Sequence, residues 1–185
     1  MYKPITYIQM QQLQAQHDTK YHQDIAVLDT QSRLRHLTLH FGKYSGRLAR
    51  ARDLEEGKLR SQLEKTLTDT FIIALSAANV LNLNLDEIMK KNVGSSLISE
   101  YPTDSITSLE KIREKTMYGL VIGQSDLAKA LESMDHVEEG THRTILESGV
   151  IEITKTVLKG SKMMKMDLVN ETLSRWEYVE KNRIL

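Results

Sequence analysis

The chain has no cysteine, which excludes a disulfide framework, a thiolate zinc site and a cysteine nucleophile together. Only two prolines occur, Pro4 and Pro102, so long segments are left uninterrupted for helices. Aromatic residues make up only 5%, and the core must be built mostly from Leu, Ile, Val, Ala and Met. Neither sign of charge is in excess, because 25 Lys and Arg balance 25 Asp and Glu. No global field therefore draws the chain to nucleic acid or to a membrane surface, and only local patches can do so. No apolar run reaches the roughly 18 residues of a membrane span. The opening Met1-Tyr2-Lys3-Pro4 lacks the apolar stretch of a signal peptide. A soluble, cytoplasmic protein without a membrane partner is the expectation.

What remains is an ordinary globular composition, 40% hydrophobic and 27% charged, which argues against wholesale disorder. Its apolar residues recur at spacings of three and four. A first helix is predicted over residues 5–19, with residues 20–30 irregular and Asp29-Thr30 supplying a cap for the next. Leu34, Leu37, Phe41, Tyr44 and Leu48 form one helical stripe within 31–53. The helix over 56–82 is apolar nearly all round between Phe71 and Leu81, as suits a bundle centre or an oligomer interface. Asn82 and Asn84 suit its C-terminal cap, and a short helix runs from Asp86 to Lys91.

The stretch from Gly94 to Asp104 carries the strongest loop chemistry and divides the chain almost in half. Beyond it, Asp104 or Ser105 caps a long helix to about Met134, in which Gly119 and Gly123 mark a bend or a close helix contact. Residues 136–142 form a polar turn. Helices over 142–160 and 167–182 follow, broken at Lys159-Gly160-Ser161. No segment alternates with period two, so no sheet is expected and the fold class is all-α. The organisation is a first half over 1–95, a loop over 96–104 and a second half over 105–185, the two packed as one unit.

Phe41-Gly42-Lys43-Tyr44-Ser45-Gly46-Arg47-Leu48-Ala49-Arg50-Ala51, Leu67-Thr68-Asp69, the run Ala78 to Glu87 and Lys91-Asn92 carry a resemblance over residues 10–95. They resemble the MazG-like all-α nucleoside triphosphate pyrophosphatases. That likeness implies a MazG-like helical bundle, hydrolysis of nucleoside triphosphates to monophosphate and pyrophosphate, and Mg²⁺ held by Glu-x-x-Glu on one helix and Glu-x-x-Asp on the next. Carboxylates at i and i+3 share a helix face, and two such pairs make an oxygen cage for a hard cation. Here the motif positions fall on Tyr44, Arg47, Thr66 and Asp69, and only Asp69 is a carboxylate. The resemblance thus implies the fold and argues against the chemistry.

The second half echoes the first: Ser125 to Ala130 resembles Gly46 to Ala51, Met166-Asp167-Leu168 resembles Asn84-Leu85-Asp86, and Lys181-Asn182 resembles Lys91-Asn92. A fused pseudo-dimer of two halves is one reading, and chance alignment of two helical hairpins is the other. In the duplicate alignment the motif positions become Gly123, Asp126, Gly149 and Glu152.

Where a metal site would stand, His36, His40, Lys43, Arg47 and Arg50 follow spacings of 4, 3, 4 and 3 along one helix face. Eight Lys or Arg against three Asp or Glu between residues 33 and 60 make the region locally basic. One reading is a metal-free anion site, in which ligand-binding falls to His40, Lys43, Tyr44, Arg47, Arg50, Asp69, Lys91 and Asn92. The other is a solvated face, or ion pairs with Glu64, Asp69 or carboxylates of the second half. His36 and His40 at i, i+4 lack an intervening Glu and stand among cations, so no metal site is assigned to them. His17, His22, His136 and His142 read as loop or helix-end residues. Met163, Met164 and Met166 fill core near a turn, while Trp176 and Tyr178 anchor the last helix. There is no phosphate-cradling glycine loop and no recognisable nucleophile triad.

Three functions stay open. The first is a degenerate MazG-like protein that binds a nucleotide, another phosphate-bearing ligand or a protein partner, without a cofactor. The second is a working Mg²⁺-dependent pyrophosphohydrolase whose carboxylates Asp69, Asp126 and Glu152 converge from both halves. The third is a structural protein or homodimer that associates through the apolar 71–81 segment.

Overall fold

The computed structural model describes residues 4–102 and 108–182. Thr6 opens α1 (Tyr7–Tyr21) with a capping box, in which its hydroxyl accepts from the Gln9 N–H and the Gln9 side chain accepts from the Thr6 N–H. The stretch expected to be irregular holds one helical turn, α2 (Gln23–Ala26). Asp29 then caps α3 (Thr30–Arg50) by accepting from the Ser32 N–H. After α4 (Glu56–Val80), Asn82 takes a positive φ of 51°, and Asn84 caps α5 (Leu85–Val93), which ends on left-handed Gly94. A 3-10 turn (Ile98–Glu100) leads to α6 (Leu109–Asp135), α7 (His142–Met163) and α8 (Leu168–Asn182). The caps proposed at Asp104 and Ser105 lie outside the described residues. Among the described residues the one extended pairing is an isolated bridge between Thr6 and Leu97, and the fold is all-α.

The hairpin α3–α4 packs against the hairpin α6–α7, and a single apolar core runs through both. Helix α4 lies at its centre, touched by α1, α3, α6, α7 and α8. Phe71, Ala74, Leu75, Ala77 and Ala78 are fully buried there, so this chain's own bundle uses the segment that could have been an oligomer interface. No single helix among the described residues is long and apolar enough to cross a membrane; α4 and α5 together reach that composition but are bent by 112°.

The break expected at Lys159-Gly160-Ser161 does not occur, and α7 continues to Met163. Gly160 is there for packing: a Cβ on it would stand 2.8 Å from Leu67 Cδ2 and 3.0 Å from Thr116 Oγ1. The chain turns instead at Lys165, with φ of 55°. Gly123 proves to be a close contact, since a Cβ on it would meet the Gly149 carbonyl oxygen at 2.8 Å. Arg113, buried on α6, donates to the Leu48 carbonyl and so ties α6 to the last turn of α3. Met163 and Met164 are buried, and Met166 packs against the core.

Helix α8 is held by Trp176, whose indole N–H donates 2.8 Å to the buried Gln14 Oε1. Tyr178, expected to share that anchoring, is 58% exposed beneath the Arg175 guanidinium. His136 and His142 stand at helix ends, and His142 Nε2 pairs with the Glu138 carbonyl.

Candidate functional site

The face of α3 with spacing three and four is shared between a cavity and a cationic cluster. Helices α1 and α2 fold over the α3–α4 hairpin and enclose a cavity of about 290 Å³. That is at the low end of the roughly 300–1,000 Å³ of small-molecule sites. Ile25, Leu37, Ile72 and Ile73 give it apolar walls, and Arg33, His36 and His40 enter from α3. The Nε of Arg33 is buried and has no hydrogen-bond partner among the described residues. Arg33 thus extends the stripe by one turn, a role not drawn from its position in sequence.

His36 and His40, their rings tilted at 60°, bring their Nε2 atoms to 3.2 Å. Lys43 Nζ lies 3.1 Å from His40 Nδ1, and an ammonium can only donate. His40 Nδ1 is therefore the acceptor, and its Nε2–H donates to His36 Nε2, an assignment that follows from the network. The Tyr44 hydroxyl lies 3.3 Å from the same His40 Nδ1. Burial first, then the Lys43 and His36 charges, push the His40 pKa down to about 4.

His40 makes stability depend on pH. Above its ordinary pKa of 6.5 both folded and unfolded chains hold it neutral. As pH falls below 6.5 the unfolded chain takes a proton that the folded chain refuses, and stability drops until the folded imidazole titrates near 4. After discount for the solvent around a half-buried ring, the loss is about 1–2 kcal/mol. Thermal unfolding between pH 7 and pH 5 should show this slope in the wild type and a shallower one in His40→Gln.

One turn further on lies the cationic cluster. Asp69, buried on α4, accepts from Arg47 Nη1 at 2.8 Å through one oxygen and from Arg175 Nε at 3.0 Å through the other. Lys43 and Arg47 both lie over the Tyr44 ring, at 4.9 Å and 5.0 Å from its centroid. Burial first, and the Asp69 charge second, push the Tyr44 phenol up, so it stays protonated. Burial and the neighbouring Arg47 push Lys43 down. Three cations thus surround one carboxylate.

The remaining candidates are scattered. Arg50 is exposed beside Gly46 and forms no ion pair among the described residues. Lys91 is exposed on α5; Asn92 donates to the Ile88 carbonyl and accepts from Lys155; neither lines the cavity. Some ion pairing expected of a solvated face is present, with Arg35 on Asp135 of the second half and Arg60 on Glu64.

Asp69, Asp126 and Glu152 do not bring ligand atoms within 4.8 Å of one another. Both oxygens of Asp69 are held by guanidinium groups, and Glu152 lies in a groove between α6 and α7 with Lys115 and Lys159. The residues at the motif positions do not fit Mg²⁺, which demands a near-octahedral oxygen shell. Tyr44 and Arg47 offer no carboxylate, and Thr66 donates its hydroxyl to the Gln62 carbonyl. In the second half the corresponding glycines 123 and 149 lie in backbone contact and leave no room for an ion between them.

No protein-family model, curated protein or solved structure matches this chain.

Residues of consequence also came from unexpected places. Arg175 sits on the last helix, and no local pattern links it to Asp69. Among the described residues the one group of three His, Asp or Glu ligand atoms within 4.8 Å is His17, Asp18 and His22, of which the two histidines read as loop or helix-end residues in sequence.

Proposed function

We propose that the chain keeps a MazG-like helical scaffold, with α6–α8 as a diverged copy of α3–α5, and binds a phosphate-bearing ligand without a divalent cation. The phosphate lies on Lys43, Arg47 and Arg175, and the rest of the ligand enters the cavity past His40. The observation that carries this reading is the charge count at Asp69: one carboxylate, with both oxygens on guanidinium groups, and a third cation beside it. Such a cluster retains a net positive charge at neutral pH and presents forked donors suited to phosphate oxygens. Arg33 adds a buried donor at the cavity's far end. The apolar walls favour a ligand with a flat or aliphatic body over inorganic phosphate alone.

Thermal unfolding against pyrophosphate, nucleoside mono- and triphosphates and other phosphorylated metabolites, each with and without Mg²⁺, tests the reading. A ligand at 100 times its Kd raises native stability by about 2.7 kcal/mol, roughly 5–11 °C for a chain of this size. The expected shift is the same without Mg²⁺ as with it, and Lys43→Glu weakens the affinity at least about tenfold. Lys43 is exposed and touches only His40 and Tyr44 through its amine, so this variant stays folded. A shift that needs Mg²⁺, or one that survives Lys43→Glu unchanged, overturns the assignment.

A further inference from the structure

We propose that His17, Asp18 and His22 bind one first-row transition-metal ion in the wall of the cavity. The proposal stands apart from the anion cluster and does not rest on it. Asp18 and His22 lie one turn apart on the same face at the end of α1, and His17 is adjacent in sequence. The helix stops at Tyr21, and His22 leaves it with φ of −131° and ψ of 43°. That turn brings the two imidazole centroids to 5.5 Å. One ligand atom from each of the three residues lies within 4.8 Å of the others. Donors about 2.1 Å from a common ion are about 3.4 Å apart in a tetrahedral shell, so small side-chain rotations close the set.

The second feature is how Asp18 is held. Gln14 Nε2 donates to one of its oxygens at 2.7 Å, and the Ser76 hydroxyl donates to the other at 2.7 Å. Gln14 is itself fixed by the Trp176 indole N–H from α8. Buried outer partners of this kind orient a metal-binding carboxylate and leave a lone pair on each oxygen for the ion. The His17 ring is stacked on Trp176, with centroids 5.9 Å apart, so two of the three ligands are set by the same α8 anchor. Packing alone accounts for that stacking. It does not account for a carboxylate gripped from both sides beside two imidazoles.

Two imidazoles and one carboxylate form a borderline donor set that prefers Zn²⁺, Co²⁺, Ni²⁺ or Fe²⁺ to Mg²⁺ or Ca²⁺. Asp18 and His22 line the cavity, with His36 on its α3 wall, so the remaining coordination positions open toward whatever enters there.

The test uses the chelator-treated full chain, titrated with Zn²⁺ by calorimetry and with Co²⁺ by visible absorption. The expected result is one ion per chain with micromolar or tighter affinity, undisturbed by millimolar Mg²⁺. Co²⁺ should quench the fluorescence of Trp176, the only tryptophan, because it stacks on a ligand ring. His22→Ala and Asp18→Asn should each weaken Zn²⁺ at least about 100-fold with helical circular dichroism retained, while His36→Ala stays within about tenfold. No binding at about 100 µM Zn²⁺ overturns the proposal, as does wild-type affinity in His22→Ala. Loss of the site in His36→Ala with His22→Ala unaffected overturns it too and moves the ion to the His36–His40 pair.

Discussion

Asp69→Asn is expected to destabilise the folded chain and to tighten its hold on inorganic pyrophosphate. The carboxylate is buried and its two guanidinium partners are only partly in water, with side-chain exposures of 21% for Arg47 and 33% for Arg175. Removing the counter-charge of a wholly buried pair costs about 3–5 kcal/mol. Here the guanidinium groups can turn toward solvent, and about 2 kcal/mol is expected, a fall of roughly 4–8 °C in Tm. Binding moves the other way. A phosphate on the outer side of the two guanidinium groups lies about 7 Å from the carboxylate, and the repulsion removed is about 1–2 kcal/mol at an effective dielectric of 20–40. That is about a tenfold gain in affinity.

The same substitution separates the two main readings by sign. If Asp69 were a ligand to catalytic Mg²⁺, asparagine would abolish metal-dependent binding and any pyrophosphate release. In the anion reading Asp69 is a charge that holds two arginines in place and competes with the ligand. Calorimetry of wild type and Asp69→Asn with pyrophosphate, in EDTA and then in Mg²⁺, measures both directions. Binding that appears only once Mg²⁺ is added would refute the metal-free site.

The longer helices were legible in sequence because each is governed by local rules, whereas the one-turn α2 was not. Asp29 is a side-chain cap whose reach is two or three residues, and the Leu34–Leu48 stripe is a periodicity within one helix; Asn84, expected to close α4, instead caps the start of α5. Gly160 shows the limit of such reading. Its sequence neighbours make it look like a helix end, yet its role is set by Leu67 and Thr116 on two other helices.

The site divides along the same line. The stripe His36, His40, Lys43 and Arg47 is a single-helix feature and was legible as a cationic face. Asp69 stood out through the family resemblance, but its partner Arg175 lies 106 residues away and no local pattern reaches it. The cavity exists only because α1 and α2 fold over α3–α4, so its lining could not be read from any one segment. Asp18 and His22 do have a local signal, their i, i+4 spacing. Its meaning depends on Gln14, Ser76 and Trp176, which hold the carboxylate from the same helix, from α4 and from α8.

Gly149→Val should be the most damaging single change away from the site. At the α6–α7 crossing a Cβ on residue 149 would stand 2.8 Å from the Gly123 carbonyl oxygen and 3.0 Å from Leu127 Cγ. The first of these is backbone and cannot rotate away, so the helices must separate. Alanine returns roughly 1 kcal/mol of helix propensity against that clash, which leaves Gly149→Ala mildly destabilising. Valine adds two methyl groups and no such compensation, and a loss of about 3 kcal/mol is expected, roughly 6–12 °C in Tm. Because α6 is the helix against which α3 packs, through Arg113 on the Leu48 carbonyl and Gln124 near Ser45, the separation is transmitted to the cationic face. Pyrophosphate affinity should therefore fall with Tm in Gly149→Val, whereas Asp69→Asn lowers Tm and raises affinity. Denaturant unfolding and calorimetry on the two variants side by side would separate loss of scaffold from change of charge; a Gly149→Val chain with wild-type Tm would mean that α6 and α7 do not cross at these glycines.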